Sequence, residues 1–169
     1  LVTRETTQTD GTSPKGSALT HAEVDANFIN LNDGKVEVSG AIVFAALAGE
    51  ALSKGDAVYV SGVTGNTPVV SKSDADDASK MAAFGLAEAD TNNNAAVNVV
   101  TFGTLYGLDT SAFSAGDTVY VDTTAGGLTN TAPTGESSLI QNIGKVIRSH
   151  ATAGSIKVGG PRRGMRADN

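Results

Sequence analysis

The sequence predicts a mainly β protein: an N-terminal extended arm and a short α-helix, followed by a duplicated antiparallel β module closed as a sandwich or a barrel. Three observations predict it. Gly55-Asp56-Ala57-Val58-Tyr59-Val60 returns as Gly116-Asp117-Thr118-Val119-Tyr120-Val121. From Val36 onward, apolar residues alternate with polar ones in short runs punctuated by Gly-rich clusters. A single stretch before that carries helical spacing with a start and a stop signal.

Residues 1–18 are rich in Thr, Ser, Gly and Pro, with Asp10-Gly11 and Ser13-Pro14 as turn signals. With so few apolar residues the segment cannot offset its own ordering entropy, so it reads as an attachment arm laid on another surface. The helix is predicted within 19–34. Thr20 and Glu23 form a capping box, and Leu19 is placed to staple onto Val24. Val24, Phe28 and Leu31 fall on one face, and Asn32-Asp33-Gly34 supplies the stop. At three to four turns such a helix is marginal alone. Leu19, Val24, Phe28 and Leu31 are therefore the candidate anchoring or oligomer contacts.

Residues 35–160 form the predicted β body, with an internal repeat over about 50–104 and 111–160, and 161–169 a basic tail. Strands are expected at Lys35–Ser39, Ile42–Leu47, Ala57–Ser61, Thr67–Ser71, Met81–Glu88, Ala96–Phe102, Thr118–Asp122, Leu139–Arg148 and Ser155–Val158. The run from Asp74 to Lys80 reads as a single helical turn capped by Asp74. Beyond the first six residues, Phe84-Gly85-Leu86-Ala87 matches Ile143-Gly144-Lys145-Val146, and Val100-Thr101-Phe102-Gly103 matches Ile156-Lys157-Val158-Gly159. The spacing falls from 61 (Gly55 to Gly116) to 59 (Gly85 to Gly144) to 56 (Gly103 to Gly159), as shorter loops in the second copy would produce. The repeated residues are turn and strand formers, so a shape has been duplicated rather than a reaction centre.

Composition narrows the function classes. The chain of 169 residues is 40% hydrophobic but only 5% aromatic, with no Trp and no Cys. It can build a core, but a thin one that favours oligomerisation, and without Cys it has no disulfide, thiolate site or cysteine nucleophile. No apolar run approaches the roughly 20 residues that span a bilayer, so no membrane segment is expected. The first ten residues lack the pattern of a secretory signal, and export by that route is not expected. The formal charge of −6 is uneven: residues 141–169 carry six basic side chains against Asp168 alone. The acidic remainder argues against nucleic-acid binding, which needs a basic face. The basic end, Arg162 to Arg166, reads as a solvated tail, with contact to an acidic partner or nucleic acid as the alternative.

No catalytic set can be assembled. Asp56 and Asp117 are the obvious carboxylate pair, but each follows Gly and precedes a strand in equivalent copies, where Asp accepts local backbone hydrogen bonds in a turn. Asp74, Asp76 and Asp77 resemble the opening of a calcium loop but lack its spaced Gly and terminal Glu. His21 and His150 have no nucleophile motif nearby and read as surface or interface residues. Tyr59 and Tyr120 are expected half-buried, ring in the core and hydroxyl at the rim, in preference to a carbohydrate platform. No cofactor or metal is expected, and the chain is not expected to be an enzyme. Gly55, Asp56, Tyr59, Gly116, Asp117 and Tyr120 are structural repeat positions.

The segment Lys15-Gly16-Ser17-Ala18-Leu19-Thr20-His21-Ala22-Glu23-Val24-Asp25-Ala26-Asn27-Phe28-Ile29-Asn30-Leu31-Asn32 resembles the N-terminal element of tailed-bacteriophage fibre and decoration proteins, in which such a helix follows a polar attachment arm. The β part is similar, in composition only, to small β modules of such fibres and of capsid decoration proteins. The resemblance implies a homotrimeric virion component on the capsid surface or the tail. In it the arm contacts the major capsid protein or another virion protein, the helix gathers near a threefold axis, and β domains project outward. The lack of an extended shaft suits a short head fibre or cement protein. The alternative is a tail-fibre, receptor-binding protein, with loops such as Asp90-Thr91-Asn92-Asn93-Asn94 touching a host glycan or protein.

Overall fold

A computed structural model of the chain describes residues 40–159. The arm, the helix with Leu19, Val24, Phe28 and Leu31, the strand expected at Lys35–Ser39, and the basic tail lie outside the described residues. Nine strands build the rest: β1 (Ile42–Ala48), β2 (Ala57–Thr64), β3 (Thr67–Lys72), β4 (Gly85–Ala87), β5 (Ala96–Leu108), β6 (Thr118–Val121), β7 (Leu128–Thr129), β8 (Asn142–Arg148) and β9 (Gly154–Val158). The described residues are mainly β, as the alternating pattern predicts.

The strands lie in the order β1-β3-β2-β4-β5-β9-β8-β6-β7, and β1 also pairs with β5. The first five strands therefore close into a ring. Its one parallel pair, β1 with β3 through Leu47↔Val69 and Ala48↔Val70, involves a strand that precedes the repeat and makes the sheet mixed. A ring with an odd number of strands cannot alternate direction all the way round, so one neighbouring pair must run the same way. The ring encloses Ala46, Ala48, Leu52, Val58, Val70, Ala87, Val97 and Val99, with Phe44 packed against them. Small side chains suit so narrow an interior.

The wall β2-β4-β5 is buried on both faces. Val58, Ala87 and Val99 point into the ring, whereas Ala57, Leu86 and Val100 join a second cluster with Leu105, Leu108, Val119, Val121, Ile143, Val146, Ile156 and Val158. Consecutive apolar residues such as Ala57-Val58 and Val99-Val100 are the sequence signature of a strand covered twice. β5 links the two cores: its first half pairs with β1 and β4, and its second half, from Gly103, pairs with β9.

The repeat is visible in the pairing. β2-β4-β5 and β6-β8-β9 are joined in the same order, with Ala57↔Leu86 and Val58↔Gly85 in one copy and Thr118↔Lys145 and Val119↔Gly144 in the other. Gly85 and Gly144 are equivalent for a steric reason, because a Cβ at either would run into a neighbouring-strand carbonyl, that of Val100 or Lys157. The last strand departs from the sequence match. Leu86 lies opposite Val100 and Lys145 opposite Lys157, so the counterpart of Val100 is Lys157. That is one residue beyond the alignment of Gly103 with Gly159. Such a shift exchanges the two faces of a strand.

Other boundaries move for identifiable reasons. The strand expected at Met81–Glu88 shrinks to Gly85–Ala87 because the Gln141 side chain serves the backbone before it, accepting from Ala83 N–H at 2.7 Å and donating to Ala83 C=O at 2.8 Å. β8 starts at Asn142 rather than Leu139, because the Leu139 N–H turns to Ala75 C=O at 2.8 Å. β5 runs on to Leu108 through Gly103 and Gly107, whose positive φ values accommodate irregularities instead of ending the strand. The helical turn is a single 3₁₀ turn, Ala78–Lys80, capped by Asp77 and not by Asp74. Asp77 Oδ1 accepts from Ser79 N–H at 2.9 Å, while Asp74 Oδ1 closes an earlier turn by accepting from Asp76 N–H at 3.0 Å.

Candidate interaction surface

Asp56 and Asp117 are turn residues with matching bonds. Asp56 Oδ2 accepts from Ser53 N–H at 2.8 Å, and Asp117 Oδ2 accepts from Ser114 N–H at 2.9 Å. The backbone returns the contact through Asp56 N–H to Ser53 C=O and Asp117 N–H to Ser114 C=O. Gly55 and Gly116 both sit at φ +93°, where a side chain is strained, which is why the motif needs Gly before Asp. Beyond this shared frame, Asp56 pairs with Lys72 at 3.3 Å and Asp117 accepts from Asn130 Nδ2 at 3.0 Å. The Asn130 amide, then the Ser114 N–H and more weakly the Lys145 ammonium, hold the Asp117 carboxyl below the usual carboxylate range. Tyr59 and Tyr120 are both half-buried.

Asp76 and Asp122 line an open cleft of about 330 Å³ with Thr123, Thr129, Thr131 and Ser138. Asp76 accepts from the Ser138 hydroxyl and Asp122 Oδ1 from Thr123 N–H at 2.7 Å. Their neighbours Asp74 and Asp77 are matched to Lys80 at 3.9 and 3.3 Å. Among the described residues no three His, Asp or Glu side chains gather as metal ligands, and no helix is long and apolar enough to cross a membrane. His150 is exposed, and its Nδ1 accepts from Thr152 and Ala153 N–H at 3.1 and 3.0 Å, shaping the β8–β9 turn. His21 lies outside the described residues.

The surface that sequence reasoning missed is the outer face of the second copy. Thr104 of β5 pairs with Lys157, Lys157 with Lys145, and Lys145 with Thr118, forming one row across four strands. A second row places Tyr106 and Arg148 on either side of Ser155. Phe102 stands beside the first row with the Lys157 ammonium 4.2 Å from its ring centroid. Phe102 and Tyr106 are 47% and 58% exposed, large values for aromatic side chains on a sheet face. The strands β5, β6, β8 and β9 contain no Asp or Glu. The signal was present in the repeat: Leu86 of one copy is Lys145 in the other, but the sequence does not say which face either occupies.

No protein-family profile and no curated protein sequence matches the chain. Among solved structures, the head fiber gp8.5 N base in bacteriophage phi29 aligns over 70% of this chain and 93% of its own, at 13% identity and a TM-score of 0.46. That likeness is too loose to transfer a role from one protein to the other.

Proposed function

We propose that this chain is a non-enzymatic structural protein of a phage virion. It serves as a capsid decoration or head-fibre (cement) protein and is held on the particle by its N-terminal arm and helix as a homotrimer. The observation that carries the reading is the nearly unbroken resemblance of Lys15–Asn32 to the N-terminal element of phage fibre and decoration proteins. The body suits such a role because its repeated residues are spent on turns and shared cores. Binding is buried contact: the arm and helix lose conformational freedom on docking, which interface burial and the avidity of several linked copies offset.

The test is removal of residues 1–18. The shortened protein should keep the far-UV circular dichroism of its β body but no longer co-sediment with particles. Full occupancy by the shortened protein would place the anchor elsewhere. Copy number per particle identifies the site, with tens to hundreds expected on a capsid and only a handful on a tail.

A further inference from the structure

One end of the five-stranded ring is open and apolar. The pairing register brings to that end the start of β1, the second half of β2, the start of β3 and the backbone just before β4. Exposure rises along β1 toward it: Ala48 and Ala46 are buried, Phe44 is half-buried and Ile42 is 64% exposed. On β2, Val58 is buried, whereas Val60 is exposed and Val63 is 67% exposed. These are inward positions. Ile42 lies two residues before Phe44, which packs against the ring's core, and Val60 lies two after Val58. The bulge in β2 sets Val60 opposite Val70 and Val63 opposite Pro68, so both face the way that buried Val70 faces. Phe102 stands opposite Ile42, and the Phe84 ring meets that of Phe44 edge-on at 5.0 Å. Phe84 N–H donates to Val58 C=O at 2.6 Å, which ties this aromatic pair to β2.

Scattered exposed apolar residues mean little, but a contiguous apolar rim marks an interaction site. The two ends of the ring differ in this respect. Beyond the end of β1, Leu52 is buried in the ring's core and bridged to Thr91, so that end is stoppered. Among the described residues nothing plays this part at the mouth. β1 and β2 carry no charged side chain, so the rim also lacks the charges that keep exposed strands of sheet proteins apart. The Lys157 ammonium over Phe102 marks its border. We infer that the mouth is the surface through which copies of this chain join, three rims meeting around one axis. The point at which the rest of the chain attaches selects a second copy as the occupant. Residues 1–39 reach the body at Gly40, whose C=O lies against Gly103, one residue from Phe102. In the proposed function, on which the inference rests, that segment holds three copies on the particle. Copies tethered beside their mouths meet at a raised effective concentration, which populates even a modest contact. An unrelated protein has no such tether, and a rim without charge offers a charged partner nothing to match.

The test uses the full chain in analytical ultracentrifugation. Ile42→Glu with Val63→Glu puts carboxylates on the rim at positions open to water, so the circular dichroism spectrum should not change. Trimer association should weaken by about tenfold or more, because the contact would bury unpaired charge. Ile42→Ser with Val63→Ser serves if the carboxylates prevent folding. Ile42→Leu with Val63→Ile keeps the rim apolar and should leave association unchanged. Ile147→Glu should do the same, since Ile147 is an exposed apolar residue of β8, outside the ring. A trimer that the rim carboxylates leave intact would overturn this interface yet leave the trimer standing, with copies joined through another surface. Equal weakening by Ile147→Glu would also overturn it, since any added charge would then suffice. A natural chain that stays monomeric at every concentration would overturn mouth and trimer together, the rim then being covered by its own chain or by a particle protein. Particle co-sedimentation would still test the anchoring role separately.

Discussion

Exchanging one residue between the two copies tests the structural equivalence of Leu86 and Lys145. Leu86 is fully buried between the layers, and Lys145 is exposed at the same point of the repeat. Leu86→Lys forfeits about 1.5–3 kcal/mol of side-chain burial. It also leaves an ammonium without a carboxylate partner among Ala57, Val100, Val119 and Ile156, which costs several kcal/mol more. The total rivals the whole stability of an ordinary domain, about 5–15 kcal/mol, so this variant should be largely unfolded in buffer. Leu86→Ala, which removes volume without adding charge, should cost about 2–5 kcal/mol. The reciprocal Lys145→Leu should stay within about 0.5 kcal/mol of the natural protein, as exposed substitutions usually do. Urea unfolding followed by far-UV circular dichroism reads all three, since the chain has no Trp to report by fluorescence. A folded Leu86→Lys with an unchanged midpoint, or a Lys145→Leu as damaging as Leu86→Ala, would refute the assignment of buried and open faces.

Two further outcomes test the turns. Thr110 is fully buried and its hydroxyl bonds Arg148 C=O at 2.7 Å and His150 N–H at 3.0 Å, so Thr110→Val should cost about 1–3 kcal/mol in the same unfolding assay by stranding both groups. The depressed Asp117 carboxyl binds its proton less readily in the folded chain than in the unfolded one. Its contribution is therefore complete above the ordinary carboxylate range near about pH 4 and fades as pH falls through its lower folded value. Asp77 and Asp109, each held low chiefly by a nearby Ser hydroxyl, act in the same direction. Thermal melts from pH 6 to pH 2 should show a smaller acid-induced fall in melting temperature for Asp117→Asn than for the natural protein, and equal slopes would contradict this role.

Local chemistry made much of the fold legible. The Gly-Asp turns at Gly55-Asp56 and Gly116-Asp117 could be read because every group they need lies within three residues. The short apolar run Ile42–Ala48 and the paired valines within Thr67–Lys72 likewise announce strands. Legibility failed where a distant group satisfies the backbone. The Gln141 amide replaces strand pairing at Ala83 across 58 residues, and nothing near Ala83 foretells it. Gly103 failed differently, since a glycine can break a strand or bend it, and only its pairing partners decide which.

The sequence by itself determined that a β unit is present twice, which residues turn the chain in each copy, and that Lys145 stands where the first copy has Leu86. These follow from short-range periodicity and turn stereochemistry. Only the tertiary structure decided that the first copy helps close a ring, that its outer wall is buried, and that the matching wall of the second copy is open and basic. Burial of a face depends on strands far apart in the chain, and identical alternation describes a face whether it meets water or another sheet.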